Sequence, residues 1–321
     1  MKLTRTLRSV ALAGLLFSLS TGQALACAFH AYLPDATLSA QIANAAEVIA
    51  ARPSAKDPFR FETVAFLKGT PSESTPPHLV DSATRLRLAR NPGDAVLFAR
   101  ESYGPWKRLL VLDQATRPLV DHMLDETWPS PARADDRQAV FSSLLAHPDQ
   151  RLHLIALREL DGLPYAALRR GTYPISTRNI LDDLLSLSEM PYAPIRILLL
   201  GVKGDDAAKR VIFERLAQSA LVGTDIHLGA WMTAALESSG IEGLAELERL
   251  FLKPGSTATE AQLVQLVRAL FVQKTEGDSA LEAPIDDMMH RIAVLYPDVA
   301  PMIAQSFGAT SEYAFDPLFA N

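Results

Sequence analysis

The chain has 321 residues, 48% of them hydrophobic and 21% charged, with 37 acidic against 31 basic side chains and a single cysteine, Cys27. That length is ample for one or two buried cores, and a lone cysteine excludes a disulfide within the chain. An acidic balance without a Lys/Arg cluster argues against a nucleic-acid surface, which needs grouped cations to displace counterions.

Residues 1–26 read as a secretory signal. Lys2, Arg5 and Arg8 form a positive start, Val10 to Phe17 a short apolar run, and Ala24-Leu25-Ala26 an A-x-A cleavage pattern. The apolar run falls short of the roughly 20 residues that span a bilayer, and no later stretch offers one, so no transmembrane segment is expected. The expectation is an exported protein, periplasmic or secreted after cleavage near Ala26. A lipid anchor at Cys27 is the alternative, although Ala24 stands where a lipobox prefers leucine. Removing the three signal cations leaves 28 basic against 37 acidic residues, and residues 131–321 hold 17 of the former and 25 of the latter.

After a helix expected over 36–46, capped by Asp35, the pattern turns to strands. Val48 to Ala51 is a β-branched and small run ending at Pro53. In "FRFETVAFLKGT", 59–70, Phe59, Phe61, Thr63 and Ala65 share one face and Val64 and Phe66 the other. "DAVLFARE", 94–101, follows the turn signal Asn91-Pro92-Gly93, and "WKRLLVLD", 106–113, follows Tyr103-Gly104-Pro105. A short helix fits at 82–90. Close strands with Gly/Pro punctuation predict a small β-barrel or sandwich.

Three of these stretches, Ala46-Glu47-Val48-Ile49, Phe61 to Gly69 and Pro92 to Phe98, carry a further likeness. They resemble the strand pattern of the netrin-like, or tissue-inhibitor-of-metalloproteinase-like, OB-type barrels of bacterial exported proteins. The resemblance covers roughly residues 27–115 and implies a small OB-type β-barrel, here expected over 27–125. In that family the first cysteine's amine and carbonyl bind a target enzyme's zinc, which draws attention to Cys27. The disulfides that stiffen the animal inhibitors have no counterpart in this chain.

The stretch 126–134, with Pro129 and Pro131, reads as a linker, and residues 135–321 as a helical domain. Segments 135–147 and 149–160 flank Pro148. Leu263, Leu266, Val267 and Leu270 follow the i, i+3, i+4, i+7 rule, and Ile241, Leu244, Ala245, Leu247 and Phe251 form a similar stripe. Asp205 suits an N-cap for a helix over 206–217, and Ser239-x-x-Glu242 and Thr257-x-x-Glu260 match capping boxes. Pairs over 177–217, 224–252 and 258–294 recur at about 40 residues, the spacing of stacked two-helix repeats. Segments 191–218 and 260–277 loosely resemble HEAT-type repeats, with Arg196 and Arg268 inside second helices; an irregular bundle is the alternative. The expected fold class is thus multidomain α and β: a small OB-type β-barrel followed by stacked helix hairpins.

Catalytic motifs are missing: no G-x-S-x-G, H-E-x-x-H or G-x-x-x-x-G-K-[ST] occurs. The acidic doublets sit near helix starts, where the dipole favours them. His147 and His153 flank the Pro148 turn at a spacing unlike that of tight metal sites, and the adjacent Met288 and Met289 diverge on a helix, which suits core filling better than copper. What remains is the segment after the signal. Cleavage at Ala26 would leave the Cys27 amine and thiol near the His30 imidazole, a donor set suited to copper or zinc. Cys27 packing as a small apolar residue is the other reading, and both stay open. The chain is expected to be an exported cell-envelope binding or scaffolding protein with a protein partner, without catalytic activity or a resident cofactor. The alternative is a metal-binding or metalloenzyme-inhibitory protein acting through Cys27 and His30.

Overall fold

The computed structural model describes residues 36–70, 75–128, 133–224, 226–253 and 256–307. The signal, Cys27, His30, Asp35 and part of the expected linker (residues 129–132) lie outside them. Among the described residues, contacts divide the chain into a sheet unit, 36–160 with 171–175, and a helical unit, 161–170 with 176–307.

In the sheet unit, helix α1 (Leu38–Asn44) precedes strands β1 (Glu47–Pro53) and β2 (Phe61–Lys68). Helix α2 (Ser82–Arg90), strands β3 (Ala95–Arg100) and β4 (Lys107–Leu112), and helices α3 (Arg117–Leu124), α4 (Ala134–Leu144) and α5 (Gln150–Asp161) follow. All four expected strands are present. Helix α1 is capped by Thr37, whose hydroxyl accepts the Ala40 N–H at 3.2 Å. Asp81 caps α2 in the same way through the Thr84 N–H at 2.8 Å.

The sheet is antiparallel, in the order β2-β1-β3-β4. Val48 to Ala51 and Ala95 to Ala99 are buried whichever way their side chains point, so the two central strands are covered on both faces. On one face Ile49, Ala51, Val96 and Phe98 form a core with Leu88 of α2 and Trp106. Phe61 meets Phe98 there edge to face, ring centroids 4.9 Å apart. Among the described residues β2 and β4 remain open edges, so barrel closure is not seen. A barrel removes its edges by pairing the outermost strands, whereas here the sheet is open and α2 packs on one of its faces through Leu88.

The helical unit comprises α6 (Tyr165–Arg170), α7 (Thr177–Leu184), a 3₁₀ segment (Leu187–Tyr192), α8 (Ala193–Lys203) and α9 (Asp206–Val222). It continues through α10 (Leu228–Phe251), α11 (Glu260–Glu276), α12 (Glu282–Leu295) and α13 (Ala300–Phe307). Helix α8 is buried almost throughout, from Ala193 to Gly201, and packs chiefly on α10, which in turn packs on α9 and α11. Helix α10 breaks at Gly240, whose φ of 53° and ψ of −125° only glycine adopts readily. A Cβ at Gly243 would lie 2.4 Å from the Ala235 carbonyl oxygen, so the second half of α10 turns back against the first. This is the helix pair expected over 224–252, with Gly240 as its corner.

The cap of α11 differs from expectation. The box is formed by Thr259 and Gln262, not by Thr257 and Glu260. The reason is tertiary: Gln262 is fully buried, and its side-chain amide also donates to the Ser219 and Thr224 carbonyls at 2.9 and 3.1 Å. Glu260 could not occupy that place without burying a charge.

Asp205 caps α9 as expected, accepting the Ala208 N–H at 2.9 Å and the Thr177 hydroxyl. The Thr177 hydroxyl, then the Ala208 N–H, hold its carboxyl below the usual range. Replacing Asp205 by alanine is expected to cost about 1 kcal/mol at neutral pH. Because the folded-state pKa is depressed, the contribution is complete above the unfolded value of about 3.9 and disappears as pH falls through the lower folded one. Urea midpoints of wild type and variant should therefore differ at pH 7 and converge in acid; a constant gap would contradict this role.

Candidate functional site

The helical unit contains an apolar groove of about 570 Å³. One wall is a face of α9: Val211, Glu214, Arg215, Gln218, Ser219 and Val222, at the three- and four-residue intervals of a single helical stripe. Leu181, Leu184 and Leu185 from the end of α7 stand across from it, with Met190 of the 3₁₀ segment. Ala193 and Ile197 of α8 and Trp231 of α10 are nearly inaccessible, at 7%, 1% and 8% exposure. Thr224, Ile226 and His227 complete the lining; His227 precedes α10 in the left-handed region, with φ 53°.

Two properties separate this groove from an ordinary gap between helices. Its rim is apolar and bare: Leu185, Val222 and Ile226 are 66–75% exposed and Met190 47%. Contiguous exposed apolar surface of this kind marks binding sites. Its acidic and basic side chains, Glu214 and Arg215, are neighbours on α9. Arg215 donates to Gln218 Oε1 at 3.1 Å, and among the described residues neither Glu214 nor Arg215 makes an ion pair.

Buried Arg196 helps to set the walls. It is 1% exposed, donates to Asp183 Oδ2 at 3.2 Å and lies 5.8 Å over the Tyr192 ring, tying α8 to α7 and the 3₁₀ segment. Arg268, by contrast, is exposed on α11.

Other polar clusters serve the fold. In the helical unit the Tyr165 hydroxyl donates to Glu237 at 2.8 Å and accepts from Gln273 at 2.9 Å, while Arg169 Nε reaches Glu237 at 3.1 Å. Burial, then the Glu237 carboxylate, push the Tyr165 pKa well above its usual value, so it acts as a fixed donor. In the sheet unit Asp113 bridges Arg87 and Arg151 at 2.5 and 2.7 Å. Burial opposes its charge, but Arg151 and Thr116 outweigh burial and hold its pKa below the usual range. The open depression beside it is lined by Arg87, Asn91, Asp94, Asp113, Gln114 and Ala115.

Cys27 and His30 lie outside the described residues. Among the described residues no group of three or more His, Cys, Asp or Glu side chains is placed to hold a metal. His147 Nδ1 accepts the Asp149 N–H at 3.0 Å, and buried His153 contacts the Leu145 carbonyl through Nδ1 at 2.7 Å, so the two flanking Pro148 serve separate local bonds. Met288 and Met289 are both fully buried. No described helix is long and apolar enough to cross a membrane.

The groove was not among the residues singled out from sequence. Its one visible trace was the Val211, Arg215, Gln218, Val222 stripe of α9, apolar at both ends on a helix whose core stripe is Ala208, Ile212 and Leu216. Comparison with protein-family models, curated proteins and solved structures returned no match.

Proposed function

We propose that this is an exported cell-envelope binding or scaffolding protein, without catalytic activity of its own, whose working site is the groove between α7, α8 and α9. The observation that carries this reading is the apolar groove with its bare rim of Leu185, Met190, Val222 and Ile226. A structure that leaves such a surface open in water gains when a partner covers it. On this reading the N-terminal strands, with their likeness to netrin-like OB-type barrels, form a separate module, and the helices act as HEAT-like stacked hairpins presenting the groove. The export signal of residues 1–26 and a protein partner in the envelope belong to the same proposal.

The test uses rim residues whose replacement leaves the core intact. A Met190→Asp, Val222→Asp double variant is expected to keep the wild-type melting temperature and to lose capture of envelope components. Equal capture by variant and wild type would overturn the assignment of function to this groove.

A further inference from the structure

We infer that the sheet unit carries a docking patch for an anionic lipid surface, built from Phe59, Leu79 and Leu86 with Arg60, Arg85 and Arg90. It lies on different residues from the groove and goes beyond the function proposed there.

Local bonds make these residues one surface. The Val80 N–H donates to the Phe59 carbonyl at 2.9 Å, and Arg60 and Leu79 form an antiparallel bridge, so the two segments run side by side. The Arg85 guanidinium lies 4.8 Å over the Phe59 ring and joins α2 to them. On α2, Thr84 and Leu88 are buried, which turns Leu86 and Arg90, one helical turn apart, to the outside. Phe61, Val80 and Leu88 belong to the core of this unit. Phe59, Leu79 and Leu86 do not: they are 55%, 65% and 53% exposed.

Charge names the occupant. Among the described residues Arg60, Arg85 and Arg90 form no ion pair. The acidic side chains beside them do not answer them. Asp57 turns back to accept the Phe59 N–H at 3.0 Å, and Asp81 caps α2 and pairs with Arg108 at 3.1 Å. Glu62 follows buried Phe61 and so points to the other face of the sheet. In a chain with more acidic than basic residues, three unmatched guanidinium groups around apolar side chains select an anionic partner.

Shape separates a lipid surface from a protein. Side chains more than half exposed project from the surface instead of walling a pocket. A protein would need a socket for each of the three, and would immobilise the arginines at a cost in rotamer freedom. A fluid interface needs no matching shape. It takes the apolar groups to the acyl boundary and keeps the guanidinium groups at the phosphates.

The experiment measures co-sedimentation of the full chain with vesicles of phosphatidylcholine alone and with phosphatidylglycerol added. Residues outside the patch are common to every variant, so the comparison between variants is the readout. Binding should require phosphatidylglycerol and weaken as salt rises from about 0.05 M to about 0.5 M. Each cation near an anionic lipid surface raises partitioning about fivefold, so Arg60→Gln, Arg85→Gln, Arg90→Gln together should lower it about a hundredfold. Phe59→Ala, Leu79→Ala, Leu86→Ala should lower it at least tenfold with an unchanged urea midpoint. Removing three exposed cations of the helical unit, in Arg178→Gln, Arg210→Gln, Lys253→Gln, should leave it unchanged. Equal binding to both vesicles, or equal loss in this control and in the arginine variant, would overturn the inference. So would binding of soluble polyglutamate as tight as that of vesicles and indifferent to the apolar variant, which would define a polyanion site. Met190→Asp, Val222→Asp should bind vesicles as wild type does; loss of binding there would overturn the assignment to this patch and leave the groove as the working site.

Discussion

Replacing Glu159 by alanine is expected to destabilise the sheet unit by about 3–5 kcal/mol, the usual cost of breaking a buried charged pair by removing one partner. The Glu159 carboxylate is fully buried; Arg137 reaches it at 3.1 Å and is itself only 13% exposed. The same carboxylate accepts the Ser39 N–H at 2.7 Å and the Ser39 hydroxyl at 2.5 Å, satisfying the start of α1 from 120 residues away. Alanine would leave the Ser39 N–H and hydroxyl without their acceptor and take the carboxylate from Arg137, which keeps only its bond to the Ser39 hydroxyl at 2.8 Å. The cost is therefore mostly that of stranding Arg137 and Ser39 rather than the worth of the pair itself. Urea unfolding of Glu159→Ala, Arg137→Ala and the double variant separates the two. The double variant should lie well above the sum of the singles in stability, because it removes the stranded cation. A loss under 1 kcal/mol for Glu159→Ala would show that this network does not hold the unit together.

The second large effect is expected at Gly201, where α8 meets α10. A Cβ there would fall 2.6 Å from the Ala234 Cα and 3.0 Å from its carbonyl oxygen. Helix propensity alone favours alanine over glycine by about 1 kcal/mol. Overpacking a tight core costs about 1–3 kcal/mol, and more where the neighbour is backbone, which cannot rotate aside. The clash should win: Gly201→Ala is expected to lower stability by about 2 kcal/mol, and Gly201→Val by more. A raised denaturation midpoint for the alanine variant would mean that propensity prevails and the helices are not in such close contact.

Much of the local structure was legible from sequence. The strands of 47–53, 61–68, 95–100 and 107–112 announced themselves by alternation and by the Pro/Gly turns between them. The α9 start was legible too, because a cap depends on residues no more than three apart, as Asp205 and Ala208 are. Two-fold ambiguity appeared where two such signals overlapped. Thr257 with Glu260 and Thr259 with Gln262 are equally good boxes locally, and only the Ser219 and Thr224 carbonyls on the far side of Gln262 decide between them.

The groove was illegible for a related reason. Leu181, Leu184, Met190, Ile197 and Trp231 read as core residues of successive helices, and Ile197 and Trp231 are indeed almost inaccessible. Nothing in the spacing of Leu185 or Val222 says that no helix will cover them.

By itself, then, the amino-acid order determined which segments become strands and helices, where a capped helix such as α9 begins, and that no disulfide braces them. These follow from interactions within a few residues along the chain. Tertiary structure decided the rest: the open sheet with α2 on one face, the corner of α10 at Gly240, the choice of Thr259 as cap, and the groove with Glu214 and Arg215 at its rim. Each depends on which side chains arrive from segments distant in sequence, and a hydrophobic residue carries no mark of whether its partner will be another helix or water.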